Sequence, residues 1–182
     1  MLKQSIIGWF SRFTRDKRGV SAVEFALLAP VMIGLYFGSV EISQGVAADR
    51  KVSLIAAALA NLSAQVTTIS TTDMTNILDA SSAIVSPFSA SNLKMTVTCI
   101  NIDANKVARV KWSVTRGGNA NSGTITIPSA LAVANSTLIL AEAAYAYTPI
   151  VGYTISGTLN LTDKMYMSPR ISPPTYGATT CT

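Results

Sequence analysis

Between Phe25 and Val40 the chain runs for sixteen residues without a charge, and Val20 to Val23 carry the apolar character upstream. Together they supply about the twenty residues that a bilayer-spanning helix needs. A stretch this long and apolar must be covered by a protein core or by lipid, so it constrains the fold more than any other feature. Its flanks differ in charge. Before it stand Lys3, Arg12, Arg15, Lys17 and Arg18 against Asp16 alone; after it come Glu41 and then Asp49, Arg50 and Lys51. The positive-inside rule places residues 1–19 in the cytoplasm and the C-terminal bulk outside, with residues 20–42 spanning the bilayer. Glu24 interrupts the apolar run near its start, where an unpaired carboxylate is costly.

The formal charge of +5 does not indicate a nucleic-acid partner. Most of the excess lies in the first nineteen residues, and the rest of the chain holds nine basic and eight acidic residues. A binding face needs its cations spread over a folded surface. The chain has no histidine and only two cysteines, Cys99 and Cys181. That removes the commonest general base and the usual transition-metal sites, so neither a metal nor a cofactor is expected. Serines and threonines are plentiful, but no lysine lies in a recognisable nucleophile motif, and phosphate loops of the GxxxxGK or GxGxxG type are missing. An envelope enzyme is therefore not expected. At 182 residues, one compact domain plus an anchor is the natural division.

Beyond the apolar run, Val52, Ile55, Leu59, Leu62 and Val66 recur at steps of three and four, with Gly45 and Ala48 extending the stripe toward the membrane. The spacing predicts one helix over residues 20–66, roughly 70 Å long at 1.5 Å per residue. Its second half packs on a following sheet or on a partner helix. The polar run TTISTTD, residues 67–73, reads as a break after which Thr72 or Asp73 caps a short helix. Met74, Ile77, Leu78, Ile84 and Val85 form that helix's apolar face, which stops before Pro87.

A period of two then takes over. Leu93, Met95, Val97 and Cys99 alternate with Lys94, Thr96 and Thr98 in a half-buried strand, and Val110, Trp112 and Val114 share a face of the next strand across the DANK turn, residues 103–106. Residues 116–123, RGGNANSG, read as a flexible connector. Ile139, Ala141, Ala143, Tyr145 and Tyr147 mark a third strand, and Leu159, Leu161, Met165 and Met167 a fourth, broken on that side by Asp163. From Ser168 onward Pro169, Pro173, Pro174 and Gly177 predict an irregular surface tail. Outside the cytoplasm Cys99 and Cys181 can oxidise to tether that tail; otherwise Cys99 is a buried thiol and the terminus is loose.

Three accounts of the apolar segment compete. It is a secretory signal cut after the small residues Val46 to Ala48, an uncleaved anchor, or a processed pilin-type helix. The third rests on the junction RGVSAVEF, in which a basic leader ends in Gly19 and Glu24 and Phe25 follow as the fifth and sixth residues. This resembles a prepilin processing site. With EAAYAYTPIVG, residues 142–152, and MSPR after the last strand, the chain resembles the TadE-like minor pilins, or pseudopilins, of the tight-adherence (Flp/Tad) type IV pilus system. The resemblance implies an α+β, pilin-like fold: a long N-terminal transmembrane helix on an antiparallel sheet of about four strands, with one short additional helix. Residues 1–19 would be the leader, 20–66 the helix and 67–182 a periplasmic or extracellular domain.

The same resemblance implies cleavage between Gly19 and Val20 by a prepilin peptidase, with Glu24 and Phe25 as the processing and assembly motif. The implied partners are the membrane, that peptidase, other pilin and minor pilin subunits, and an inner-membrane assembly platform; no nucleic acid is expected. A domain of over a hundred residues suits a subunit that primes or tips a filament better than one repeated along it. The rival class is an anchored or secreted adhesion domain using Trp112, Tyr145, Tyr147 and Tyr153, although aromatics on an alternating face more often belong to a core.

Overall fold

In the computed structural model, which describes residues 19–149 and 157–182, the chain is a long helix laid across an antiparallel sheet. The basic leader up to residue 18, and Ile150 to Gly152 and Tyr153, lie outside the described residues. Helix α1 spans Val20–Ala64, 45 residues, with Pro30 inside it. Of this length only the C-terminal part is packed: its buried positions begin at Gly38 and Glu41 and continue with Ala48, Val52, Ile55, Ala56, Leu59 and Ala60. Alanines on this face let the helix lie close to the sheet, while Ile55 and Leu59, both 0 % exposed, fill the space between. Burying each such side chain stabilises the fold by about 2 kcal/mol. The periodic stripe deviates at its end. Leu62 is half-buried and Val66 is exposed beyond the last turn, because α1 stops at Ala64 and its final contacts pass to Ser63 and Ala64.

The polar break contains more order than its composition suggests. Thr68–Ile69 forms a short strand, β1, and Ser70, rather than Thr72 or Asp73, caps helix α2, Thr71–Ser82. Ser70 Oγ accepts from the Asp73 amide at 3.1 Å while the Asp73 carboxylate accepts from the Ser70 amide at 3.0 Å. This is a reciprocal capping box. The Ser70 hydroxyl, followed by the Ser70 amide, holds the Asp73 carboxyl below its usual pKa. A 3₁₀ turn at Ala83–Val85 finishes the apolar face ahead of Pro87.

The main sheet has β2 (Leu93–Ile102), β3 (Ala108–Arg116), β4 (Ser136–Tyr147) and β5 (Leu159–Met167) in the order β3-β2-β4-β5, every pair antiparallel. Met95, Val97, Cys99, Ile139, Ala141, Ala143, Tyr145 and Tyr147 face α1 and form the larger core with it. A register shift between Cys99 and Ile100 alters the expected alternation. Trp112 stays opposite Cys99, but Val110 falls opposite Ile100 and so moves to the other face of the sheet. Nor is β2 half-buried throughout: Ile100 and Ile102 join Ala108, Leu138 and Leu140 in a second cluster on that outer face. Ile125, Ile127 and Leu131 cover it. The segment 117–135 is thus a packed cover rather than a free connector, tied to β3 by Val110 N donating to Gly123 O at 2.8 Å and Ile125 N to Ala108 O at 3.1 Å.

The tail is likewise ordered. Strands β6 (Thr175–Tyr176) and β7 (Thr179–Thr180) make a small sheet in the order β1-β6-β7, with β6 parallel to β1. Pro174 is fully buried, and its carbonyl accepts from Trp112 Nε1 at 3.3 Å. The Arg170 amide donates to the Ala64 carbonyl at 2.9 Å, closing the free C-terminal end of α1. Prolines gave the tail no periodicity to recognise; its order comes from partners far away in sequence. Cys181 ends the strap inside the core, joined to Cys99 with the Cα atoms 6.0 Å apart.

Candidate functional site

The first eighteen residues of α1, Val20 to Phe37, include no buried position. At 1.5 Å per residue they extend about 27 Å, close to the roughly 30 Å of a hydrocarbon core. Large apolar side chains cover this length on every side: Phe25, Leu27, Leu28, Val31, Met32 and Leu35 are all more than half exposed. In water such a rod would be untenable. By length and composition α1 can cross a membrane, which suggests a single-pass anchor near the N-terminus.

Four of the residues singled out from the sequence sit at the tip of this rod. Gly19 is the N-cap, with helical φ −85° and ψ −12° and no side-chain cap on the turn it precedes. Val20 opens the helix, and Glu24 and Phe25 stand one turn along, both exposed. Among the described residues Glu24 has no ion pair or hydrogen bond. The other two, Cys99 and Cys181, lie in the core beneath the packed half of α1, so they form no common site with the tip. A cut after Ala48 would fall inside the packed helix, at a residue only 2 % exposed, and would take Gly38 and Glu41 away from the contact they make.

By sequence alone Glu41 reads as the charge that closes the apolar run. In the fold it is 4 % exposed, on the same side of α1 as Ala48, Val52, Ile55 and Leu59. The signal was its spacing: seven residues before Ala48, it continues the packing stripe at heptad distance. Tyr147, at the end of β4, is also buried, and its hydroxyl has no hydrogen bond among the described residues. Burial first, and the charge of Glu41 second, raise the phenol above its ordinary pKa. Phe88 packs edge-on against Tyr147 with ring centroids 5.9 Å apart, so Tyr147 serves as core rather than as an exposed contact. Tyr145 and Trp112, at 5 % and 6 % exposed, are core residues as well.

No group of three or more histidine, cysteine, aspartate or glutamate side chains that could hold a metal ion occurs among the described residues. The arrangement is that of an anchor and a carrier: a bare apolar rod, continuous with a helix that is the backbone of a folded domain.

Residues 19–60 match the family model described as TadE-like protein, which belongs to a structural, pilin-type family. The match begins at Gly19, passes through Glu24 and Phe25, and ends in the packed half of α1. It is consistent with a TadE-like protein of the Tad/Flp pilus system and supports a pilus-associated minor pilin role in general terms. Neither the curated proteins nor the solved structures yield a match to the chain.

Proposed function

We propose that the chain is a minor pilin, or pseudopilin, of a Tad/Flp-type pilus, trimmed by a prepilin peptidase between Gly19 and Val20 and assembled through its bare N-terminal helix. The observation that carries this reading is Glu24, which has no ion pair or hydrogen bond among the described residues, on an apolar helix that no described part of the domain covers, one turn from the glycine that ends a basic leader. Cleavage would create an α-amino group on Val20 with a pKa near ~8, cationic at neutral pH. An opposite charge makes a carboxylate in lipid far less costly, and the amine of a neighbouring subunit is the partner that assembly supplies. The pair would then set the axial register of packed helices, as a buried polar residue does in a coiled coil.

In this reading residues 67–182 lie in the periplasm, or outside the cell once the subunit joins a pilus. Their bulk favours a place at the start or tip of the filament, where one large domain does not have to repeat. The working partners are the prepilin peptidase, other pilin and minor pilin subunits and an inner-membrane assembly platform.

N-terminal sequencing of the protein from cells with and without the peptidase tests the proposal. A peptidase-dependent start at Val20 is expected. A start at Asp49 would indicate a secreted domain, and retention of Met1 in both strains an unprocessed anchor; either result overturns it.

A further inference from the structure

Helix α1 leaves no bare stalk between its apolar rod and the domain. Counted from Val20 at 1.5 Å per residue, its first buried position, Gly38, lies about 27 Å along the axis, where roughly 30 Å of hydrocarbon is nearly crossed. Tyr36, 65 % exposed, stands just before it, and a phenol favours the membrane interface. Glu41 follows at about 32 Å, level with the lipid headgroups. Its carboxylate is withdrawn from the surface, the residue being only 4 % exposed. The next charges on the helix, Asp49 and Arg50, are exposed. They begin roughly 44 Å from Val20, the thickness of a bilayer with both its headgroup layers. Apart from Glu24, α1 therefore shows no charge to its surroundings over that whole length.

The domain meets the helix at the level of Glu41. Tyr147, at the end of β4, lies within electrostatic reach of that carboxylate. Phe88 packs against Tyr147, and Leu159, which opens β5, pairs with it. From Leu159 the strand runs along α1 toward Arg170, whose amide reaches the Ala64 carbonyl. Leu159 thus marks the end of the domain nearest the rod, and Arg170 the end farthest from it.

The near end is built without charge. No charged residue occurs in the chain between Asp79 and Lys94, or between Glu142 and Asp163. Its described surface offers Ser86, Ser89, Ser91, Asn92, Thr148 and Thr158, all exposed, together with Leu159 at 39 %. The first charges above it are Lys94, next to Leu93 opposite Tyr145, and Arg116, which is paired with Asp79 at 2.6 Å. The far end differs: Asp103, Lys106, Arg109 and Arg170 lie there.

We propose that the near end is seated in the headgroup layer of the bilayer that α1 crosses, so that the domain rests on the membrane as well as being tethered to it. The inference rests on the anchor reading of α1. Continuity names the occupant, since a lipid surface begins where the rod ends and no linker intervenes. Hydroxyls and amides can exchange water for phosphate and ester oxygens, whereas a charge without a partner would be costly to dehydrate. Leu159 adds apolar surface at the acyl boundary, and the long stem of Lys94 lets its ammonium reach a phosphate. Seating of this kind sets the height and tilt of the domain above the membrane.

Fluorescence quenching tests this on full-length protein in phosphatidylcholine–phosphatidylglycerol vesicles. Each sample carries one bimane-labelled cysteine, and mass spectrometry without reductant checks that Cys99–Cys181 is intact. A nitroxide on the lipid headgroup should quench the label of Ala90→Cys and of Thr158→Cys at least threefold, and leave that of Ile171→Cys, at the far end, unchanged. A nitroxide within the acyl chain should quench Leu35→Cys at least threefold. Quenching of Leu35→Cys but not of both near-end labels would overturn the seat and leave the anchor standing. No quenching of Leu35→Cys would overturn the anchor reading and the seat with it. Equal quenching of Ile171→Cys would also overturn the proposal, because the domain would then lie on its side.

Discussion

Glu41 on α1 and Tyr147 at the end of β4 are both withdrawn from water near the start of the packed part of the helix, and the carboxylate acts on the phenol. Burial, then Glu41, places the Tyr147 pKa above its ordinary value. A group whose folded pKa exceeds its unfolded one stabilises fully below the unfolded value, near ~10 for tyrosine, and loses that contribution as pH rises through the folded one. Melting temperatures should therefore fall above about pH 10. Tyr145, raised first by burial and then by Tyr147, and Lys164, raised first by its hydrogen bond to Glu142, act in the same direction. Tyr147→Phe removes part of the alkaline loss. At pH 7 it should change stability by no more than about 1 kcal/mol, because the hydroxyl it deletes has no hydrogen-bond partner among the described residues. Thermal melts of both proteins at pH 8 and pH 11 provide the comparison.

The Cys99–Cys181 bond joins positions 82 residues apart and fastens a strap that otherwise depends on a few hydrogen bonds, including Thr137 Oγ1 to the Cys181 carbonyl at 3.0 Å. Loop closure of that order is worth about 2–5 kcal/mol. Cys181→Ser should lower the denaturation midpoint accordingly and let a protease trim the chain from its C-terminus back toward Ser168. Thiol counting by mass, with and without reductant, measures the bond directly; two free thiols in the folded, exported protein would count against it.

Leu54 and Leu59 lie five residues apart on one helix, yet the first is 58 % exposed and the second is fully buried against the sheet. Leu59→Ala should cost about 2–5 kcal/mol. Leu54→Ala should stay within about 0.5 kcal/mol. Urea titration of the two variants reads the difference, and equal losses would mean that α1 does not pack on the sheet through this face.

Periodicity made some parts of the fold legible and left others hidden. The stripe from Ala48 to Leu59 and the alternations of β2, β4 and β5 each repeat often enough to assign a face from sequence. The bulge at Cys99 and Ile100 was not legible: one extra residue in β3 reverses the face of Val110 without changing the local composition. The strap was hidden because its order arises from contacts with Ala64, Thr67 and Trp112, far away in the chain. At the tip the sequence singles out Gly19, Val20, Glu24 and Phe25 as candidates, and the fold adds that no described part of the domain covers them. Glu41 escaped because a charge at the edge of an apolar run resembles a boundary, and only its phase with Ala48 and Val52 marks it as buried.

Val20 and Glu24 are four residues apart, so about 6 Å of helix axis separates a new amine on Val20 from the carboxylate. A parallel neighbour displaced by about that distance would bring its amine level with Glu24, whereas a neighbour in exact alignment would set carboxylate beside carboxylate. The proposed pairing thus predicts both a stagger and a variant phenotype. Glu24→Ala should be synthesised and anchored in normal amounts, since removing a charge from the span can only favour insertion. Its incorporation into pili should drop at least tenfold, as read by immunoblot of sheared pili against whole-cell protein. Glu24→Gln keeps the size but not the charge and should fail similarly, while Glu24→Asp should retain part of the activity. Wild-type incorporation of Glu24→Gln would mean that shape or hydrogen bonding, and not charge, places the subunit among its neighbours.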